Sequence, residues 1–372
     1  MLEQILSLPI EKKIGQLFFI GLSGVEINDD SQLLLEEVSP GGVCLFARNI
    51  RNAEQTRKFL DKIRENSAIE PVLSLDQEGG VVDRLRRVLT PMPSAAALKT
   101  IEAATKAAQI TSEAIRLLGF NRNFAPVVDI ADEPRRKFSN GLYSRAFGAS
   151  DEETIRLAGA YLETLQRNGC LGCIKHFPGL GASAADSHEE LPLIDISMEE
   201  LFDKDLRPYR EIIKKEQAHA IMIAHAGFPR IDLQETDDNG KLLPASLSRN
   251  FVTKLLREEL NFSGVAITDD LEMGAIVKNY GIGEACKTAV AAGEDMLAIC
   301  ADPDAVRKGF YAVLEAVEKN EISEKRIDES LRRIAHLKFR LSPPLPFDAE
   351  RLEALSKEIA EFNKSLNYSY GG

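Results

Sequence analysis

Short apolar runs recur along the chain, and stretches with helical periodicity separate them. The runs are Leu17–Leu22, Gly42–Phe46, Val72–Asp76, Asn123–Asp129, Leu171–His176, Ala220–His225, Gly264–Asp269 and Met296–Cys300. Each is short and largely apolar, as a strand buried on both faces must be. Ala53–Glu65, Ala103–Leu118 and Asp151–Asn168 read as helices between them. Ser197-Met198-Glu199-Glu200 has the form of a capping box, with Ser197 as N-cap and Glu200 reaching back, and opens a helix to about Lys215. Phe251–Leu260, Gly283–Ala292 and Ala305–Lys319 complete the set. Strand and helix in regular alternation predict an α/β fold, a (β/α)8 TIM barrel. A doubly wound open sheet has the same alternation and is not separated from the barrel by counting.

The chain has 372 residues. At ~150 residues per domain that length suggests two or three domains, but α/β barrels run well past that size as one unit. The alternation continues without a break to about residue 341, so residues 1–341 are read as one barrel. Pro343, Pro344 and Pro346 then interrupt the pattern, and a charged helical segment runs from Asp348 to Phe362. Residues 342–372 are too few for a core of their own and are expected to pack on the barrel as a short helical extension.

Several runs end in polar residues: Asp76-Gln77-Glu78, Asp129, Lys175-His176, His225 and Asp269-Asp270. In a barrel the C-terminal ends of all strands share one face, where catalytic groups collect. This favours an enzyme. The net charge of −12 argues against a nucleic-acid partner, which needs a basic face. No window approaches the ~18 apolar residues of a membrane helix, and the N-terminus lacks the pattern of a signal peptide. The five cysteines, an odd count, fit reduced thiols and a cytoplasmic location. Cys170 and Cys173 form a C-x-x-C pair with redox or zinc potential, but no second Cys/His pair stands at zinc-site spacing, so buried structural thiols are the expectation.

The densest chemistry lies in Lys175-His176-Phe177-Pro178-Gly179-Leu180-Gly181, continuing through Asp186-Ser187-His188 to Leu191-Pro192. A loop this long inside a compact unit is usually functional. Its glycines lack the third glycine of a dinucleotide fingerprint and any Gly-Lys-Ser/Thr, so a phosphate cradle is weakly signalled. Asp186 and His188 are two apart and share a side in an extended segment, where the carboxylate can orient the imidazole for acid/base work; a solvated loop pair is the plain alternative. One carboxylate of Asp269-Asp270 can serve as a nucleophile or a metal ligand. Lys175 has the chemistry of a Schiff-base lysine. Arg84 and Arg145, with His176, are suited to a polyhydroxy ligand, although surface ion pairs are the commoner fate of arginines.

These blocks together resemble glycoside hydrolase family 3, and most closely its bacterial β-N-acetylglucosaminidases of cell-wall recycling. The resemblance runs from about Ile14 to about Ile299. It rests on Asp76-Gln77-Glu78-Gly79-Gly80, Asn123-Phe124-Ala125-Pro126-Val127-Val128-Asp129, Ser144-Arg145-Ala146-Phe147-Gly148, Lys175-His176-Phe177-Pro178-Gly179, Asp186-Ser187-His188, Pro244-Ala245-Ser246-Leu247-Ser248 and Ile267-Thr268-Asp269-Asp270-Leu271-Glu272-Met273. It implies a (β/α)8 barrel and a retaining double displacement on terminal β-linked N-acetylglucosamine of peptidoglycan fragments. Asp269 would be the nucleophile and His188 the acid/base with Asp186 as its partner. Asp76, Arg84, Arg145, Lys175 and His176 would bind the sugar.

The implied partner is a small carbohydrate or muropeptide, with no nucleic acid, membrane, cofactor or metal, and the chain is expected to be a monomer. The absence of Trp makes that recognition polar. A β-glucosidase or glycoside phosphorylase of the same family, and a non-catalytic sugar-binding barrel, are the competing readings. The chain departs from the family pattern at Val81, where Arg is usual, and at Leu180, where His is usual.

Overall fold

The computed structural model describes residues 1–135, 141–183 and 191–370. Its strands are β1 Phe18–Gly21, β2 Gly42–Cys44, β3 Val72–Leu75, β4 Gln77–Gly79, β5 Val82–Asp83, β6 Arg122–Asn123, β7 Ile174–Phe177, β8 Ala220–Ile223, β9 Val265–Asp270 and β10 Met296–Ile299. β4 and β5 form an antiparallel hairpin. The other eight make a parallel sheet in the order β6-β3-β2-β1-β10-β9-β8-β7. Neighbours in this sheet are neighbours in the chain, and the last strand pairs with the first, as Phe18↔Leu297. The sheet therefore curls, and parallel bridges Arg122↔Leu171 and Val127↔Lys175 link its two edges. This is the TIM-like arrangement; an open doubly wound sheet would not bring β10 against β1.

The apolar runs behave as double-sided burial demands: Phe18, Phe19 and Ile20 are all fully buried. Helices cover the outside with one apolar stripe each. In Ala53–Glu65 the buried positions are Thr56, Phe59, Leu60 and Ile63, spaced for one helical face. Asn52 caps that helix by accepting from the Gln55 N–H. Helix Ile101–Leu118 stops at Gly119, whose φ of 106° suits glycine.

Three local expectations need correction. Asn123–Asp129 is not one strand: the strand covers Arg122–Asn123, and beyond Pro126, which has no N–H to donate, pairing resumes only as the isolated bridge Val127↔Lys175. Ser197 does accept from the Glu200 N–H at 3.1 Å. The Glu200 carboxylate, however, pairs with Arg135 at 2.7 Å instead of reaching back to the cap. The helix expected to reach Lys215 is also broken: a wide π turn over Leu201–Asp205 precedes Arg207–Lys214, which restarts with Pro208 in its first turn. Helices Asp29–Val38 and Glu324–Phe339 are additional to those expected.

Helix Ala349–Ser365 lies against helix Ile101–Leu118. It buries Leu352, Leu355, Ile359 and Phe362. Arg351 holds both oxygens of Glu113 at 2.6 and 2.8 Å. Thr90 N–H donates to Ser356 Oγ at 2.8 Å, and Asn363 donates to the Pro91 carbonyl at 2.9 Å.

A buried amine offers a probe of the core. Lys338 is 2% exposed and its Nζ donates to Gln16 Oε1 at 2.8 Å. Burial pushes its pKa down to about 7. Between that value and the ordinary 10.5 the unfolded chain binds the proton and the folded chain does not, so this lysine's contribution to stability improves as pH rises across the window. Lys338→Met is expected to remove that slope from urea midpoints measured at pH 7 to 10. The variant should be the more stable one near pH 7 by up to a few kcal/mol, since one pKa unit is about 1.4 kcal/mol. Parallel midpoint curves for the two proteins would contradict a desolvated amine.

Candidate active site

A cavity of about 240 Å³ opens where the strands end, and Asp76, Arg84, Arg145, Lys175, His176 and Asp269 all line it. These six sequence-predicted residues come from strands or the loops after them and from the short helix Leu142–Arg145. Asp186 and His188 lie outside the described residues. The segments on either side of them are held: Ser183 and Pro192 both line the cavity. Gly227 N–H donates to the Pro192 carbonyl at 2.9 Å, and Ile194 N–H donates to the Gly227 carbonyl at 2.8 Å.

Lys175, on β7, is 2% exposed. Its ammonium sits 2.6 Å from Asp76 Oδ1 and 2.7 Å from Glu78 Oε1. Arg145 meets the same Glu78 with Nε at 2.8 Å and Nη2 at 3.0 Å. Burial alone would raise the Glu78 carboxyl, but Arg145 and Lys175 overcome it and hold it far below the usual range. Burial likewise works to discharge Lys175, yet Asp76 and Glu78 keep its pKa up, at about 12. Paired with two carboxylates, the amine is engaged as an ammonium, which argues against the Schiff-base reading.

The loop after β3 delivers these groups through glycine and amide contacts. Gly79 and Gly80 have φ of 88° and 58°. A Cβ on Gly79 would lie 2.2 Å from the Pro93 carbonyl oxygen, so no larger residue fits the hairpin. Asn123 clamps Gln77 by accepting its N–H at 2.9 Å and donating to its carbonyl at 2.8 Å. Gln77 in turn accepts from Arg84 N–H at 2.9 Å. Arg84 is thereby set with Nη2 at 3.9 Å from Asp76 Oδ2 and its guanidinium 5.7 Å from the Phe46 ring centre. Its Nε is buried and makes no hydrogen bond. Val81 is the exposed tip of this hairpin, at 65%.

His176 is oriented by Asp129, whose Oδ2 lies 2.7 Å from Nδ1. Asp129 Oδ1 accepts the Leu180 N–H at 2.7 Å. That bond uses the backbone of Leu180, so this contact is indifferent to the side chain that departs from the family pattern.

Asp269 and Asp270 end β9 side by side and are driven apart. Burial raises Asp269, but the nearby His176, His225, Asp270 N–H and Lys175 outweigh it and hold the carboxyl below its ordinary value. For Asp270 burial, with the charges of Glu272 and Asp269 beside it, outweighs the backbone N–H groups of Glu272 and Cys300 and pushes it up to about 7. Two adjacent carboxyls with opposed environments have separate jobs, and Asp269 is the one kept ionised. His225, just past β8, supports it, with Nδ1 2.7 Å from Ser246 Oγ and Nε2 3.1 Å from the Asp270 carbonyl.

The acids and bases of this constellation pair with each other. Among the described residues no group of three or more His, Cys, Asp or Glu is arranged to hold a metal. Cys170 and Cys173 are buried free thiols. Among the described residues no helix is long and apolar enough to cross a membrane.

A buried cation between carboxylates and an aspartate held below its ordinary pKa thus line one small cavity. The model of the glycosyl hydrolase family 3 N-terminal domain matches residues 9–337. The chain belongs to glycoside hydrolase family 3. A β-hexosaminidase of Psychromonas ingrahamii is 32% identical over 321 residues, covering 84% of this chain and 90% of that protein. One from Haemophilus influenzae is 32% identical over 309 residues, covering 81% and 83%. In structure, a family 3 β-N-acetylglucosaminidase from Paenibacillus superposes with a TM-score of 0.85 at 35% identity, over 96% of this chain and 69% of that one. The family 3 chain is therefore a glycosidase enzyme.

In the sequence Glu78 and Asp129 show only as polar residues at strand ends; His225, which from its strand end is expected to line the site, is not among the cavity-lining residues. Glu78 is the counter-ion to the buried Lys175 and the part-buried Arg145. Glu78→Gln is expected to lower stability by roughly 3–5 kcal/mol, the usual result of breaking a buried charge network, and to weaken substrate binding. Urea midpoints check the first effect and KM the second. A variant as stable as the wild type would mean that solvent already satisfies Lys175 and Arg145.

Proposed function

We propose that the protein is a retaining exo-β-N-acetylglucosaminidase that removes terminal β-linked N-acetylglucosamine, with peptidoglycan fragments as its physiological substrates. The observation that carries the reading is Asp269: a part-buried carboxylate held below its ordinary pKa by its neighbours, in the wall of a cavity that the charged network of Asp76, Glu78, Arg145 and Lys175 also lines. A cavity of about 240 Å³ suits one terminal ring better than an extended chain. The relatives named β-hexosaminidase and the Paenibacillus β-N-acetylglucosaminidase support the N-acetyl sugar.

In this reading Asp269 attacks the anomeric carbon as the glycosidic bond breaks. His188, oriented by Asp186, gives its proton to the departing oxygen. The neutral imidazole then takes a proton from water, which attacks the same carbon, frees Asp269 and restores the original configuration. Glycosidases commonly pair two carboxylates in this chemistry, and a His–Asp dyad replaces one of them here. That the dyad lies in the chain between Ser183 and Pro192, both cavity residues, supports its delivery to this site. Asp76, Arg84, Arg145, Lys175 and His176 hold the sugar hydroxyls and the N-acetyl group. No cofactor is required by these steps. We further take residues 1–341 as the catalytic unit, 342–372 as an extension packed on it, and the protein as a cytoplasmic monomer.

Nitrophenol release from the β-N-acetylglucosaminide is expected to exceed release from the β-glucoside by a large factor; equal rates would overturn the substrate assignment. Asp269→Ala should lower kcat by roughly 10⁴-fold or more, as removal of a nucleophile does. His188→Ala should slow natural disaccharides more than aryl glycosides, whose leaving groups need little proton assistance. A His188→Ala enzyme unchanged on both substrates would remove the dyad from the mechanism.

A further inference from the structure

The interior of the curled sheet carries a charge that no described residue answers. Arg122, on β6, is fully buried, and its Nε, Nη1 and Nη2 have no hydrogen-bond partner. Its guanidinium lies 4.8 Å from the centre of the Phe124 ring and 6.0 Å from that of Phe19. Phe124 also lines the active-site cavity. Ser74, on β3, is the register partner of Arg122. Register partners on neighbouring parallel strands project from the same face of the sheet. Ser74 Oγ is likewise buried without a partner. The Cys173 thiol also interacts with Arg122, but burial keeps it neutral and a thiol is only a weak acceptor.

Unpaired, a buried guanidinium costs several kcal/mol. Aromatic faces attract its charge but do not accept its in-plane N–H bonds. The group that completes this set must accept from several donors and cancel one positive charge. Water meets the first need only: it can place a hydrogen on Ser74 Oγ, but it leaves the positive charge uncancelled. A small anion meets both.

We propose that the barrel interior holds a chloride ion bound by the in-plane N–H groups of Arg122 and the hydroxyl of Ser74. The site is independent of the glycosidase reading and stands or falls apart from it. Bound only in the folded chain, the ion stabilises by mass action and fixes the β3–β6 side of the barrel next to the cavity wall.

The test is thermal melting of the full chain in rising sodium chloride, with sodium gluconate holding ionic strength constant. Tm is expected to climb and then saturate, and bromide should substitute for chloride. Arg122→Met should abolish the dependence, and Ser74→Ala should shift saturation to higher chloride. In crystals grown in bromide, an anomalous peak should stand within hydrogen-bond reach of the Arg122 guanidinium and Ser74 Oγ. If Arg122→Met fails to fold, the wild-type and Ser74→Ala curves decide the matter. A Tm indifferent to chloride overturns the proposal, as does density at that position that refines as water in bromide crystals. A bromide peak without a saturable Tm response marks an ion bound at crystal concentration only, and overturns it too.

Discussion

The active site depends on one buried ammonium. Lys175 lies between Asp76 and Glu78, and Arg145 closes on the far side of Glu78. These groups come from β7, the loop after β3 and the helix Leu142–Arg145, so the network ties distant segments into one wall. Each charge is expensive to bury alone and is retained because the others answer it. Glu78 stays ionised and the amine stays protonated across the neutral range, which makes the wall a fixed array of donors and acceptors. A polar array of this kind can bind a sugar without indole rings, in keeping with a chain that has no Trp.

A second consequence concerns the two aspartates at the end of β9. Identical side chains at adjacent positions differ because their surroundings differ. Asp269 faces His176, His225 and Lys175, whereas Asp270 faces burial and the acidic Glu272. The separation comes from where β9 ends relative to β7 and β8, that is, from the parallel register of the sheet. Position 269 in the sequence is therefore meaningful only in this fold.

The sequence carried the fold through the spacing of its apolar runs, since a strand buried on both faces leaves an unbroken run. It carried the cavity through the polar residues that end those runs. Several features had no comparable signal. Glu78 gave no hint that it answers two cations, because its partners are Lys175 and Arg145, far away in the chain. Closure of the sheet rests on β1–β10 pairing and on single bridges between its two edges, contacts that no local pattern encodes. The run from Asn123 to Asp129 looked like a strand by composition, but Pro126 denies it a ladder bond. Glu200 had the right spacing for a capping box and was drawn instead to Arg135, a tertiary partner stronger than the cap. Arg122 offered no signal at all, since a charged residue ahead of an apolar run reads as solvated.

The central claim is that Asp269 forms a covalent bond to the sugar, and trapping tests it most directly. A 5-fluoro-N-acetylglucosaminyl fluoride should be turned over to a long-lived adduct, and peptide mass spectrometry should find one sugar residue on the peptide containing Asp269. An adduct on any other residue, or hydrolysis of ordinary substrates with inverted configuration at the anomeric carbon, would contradict the account.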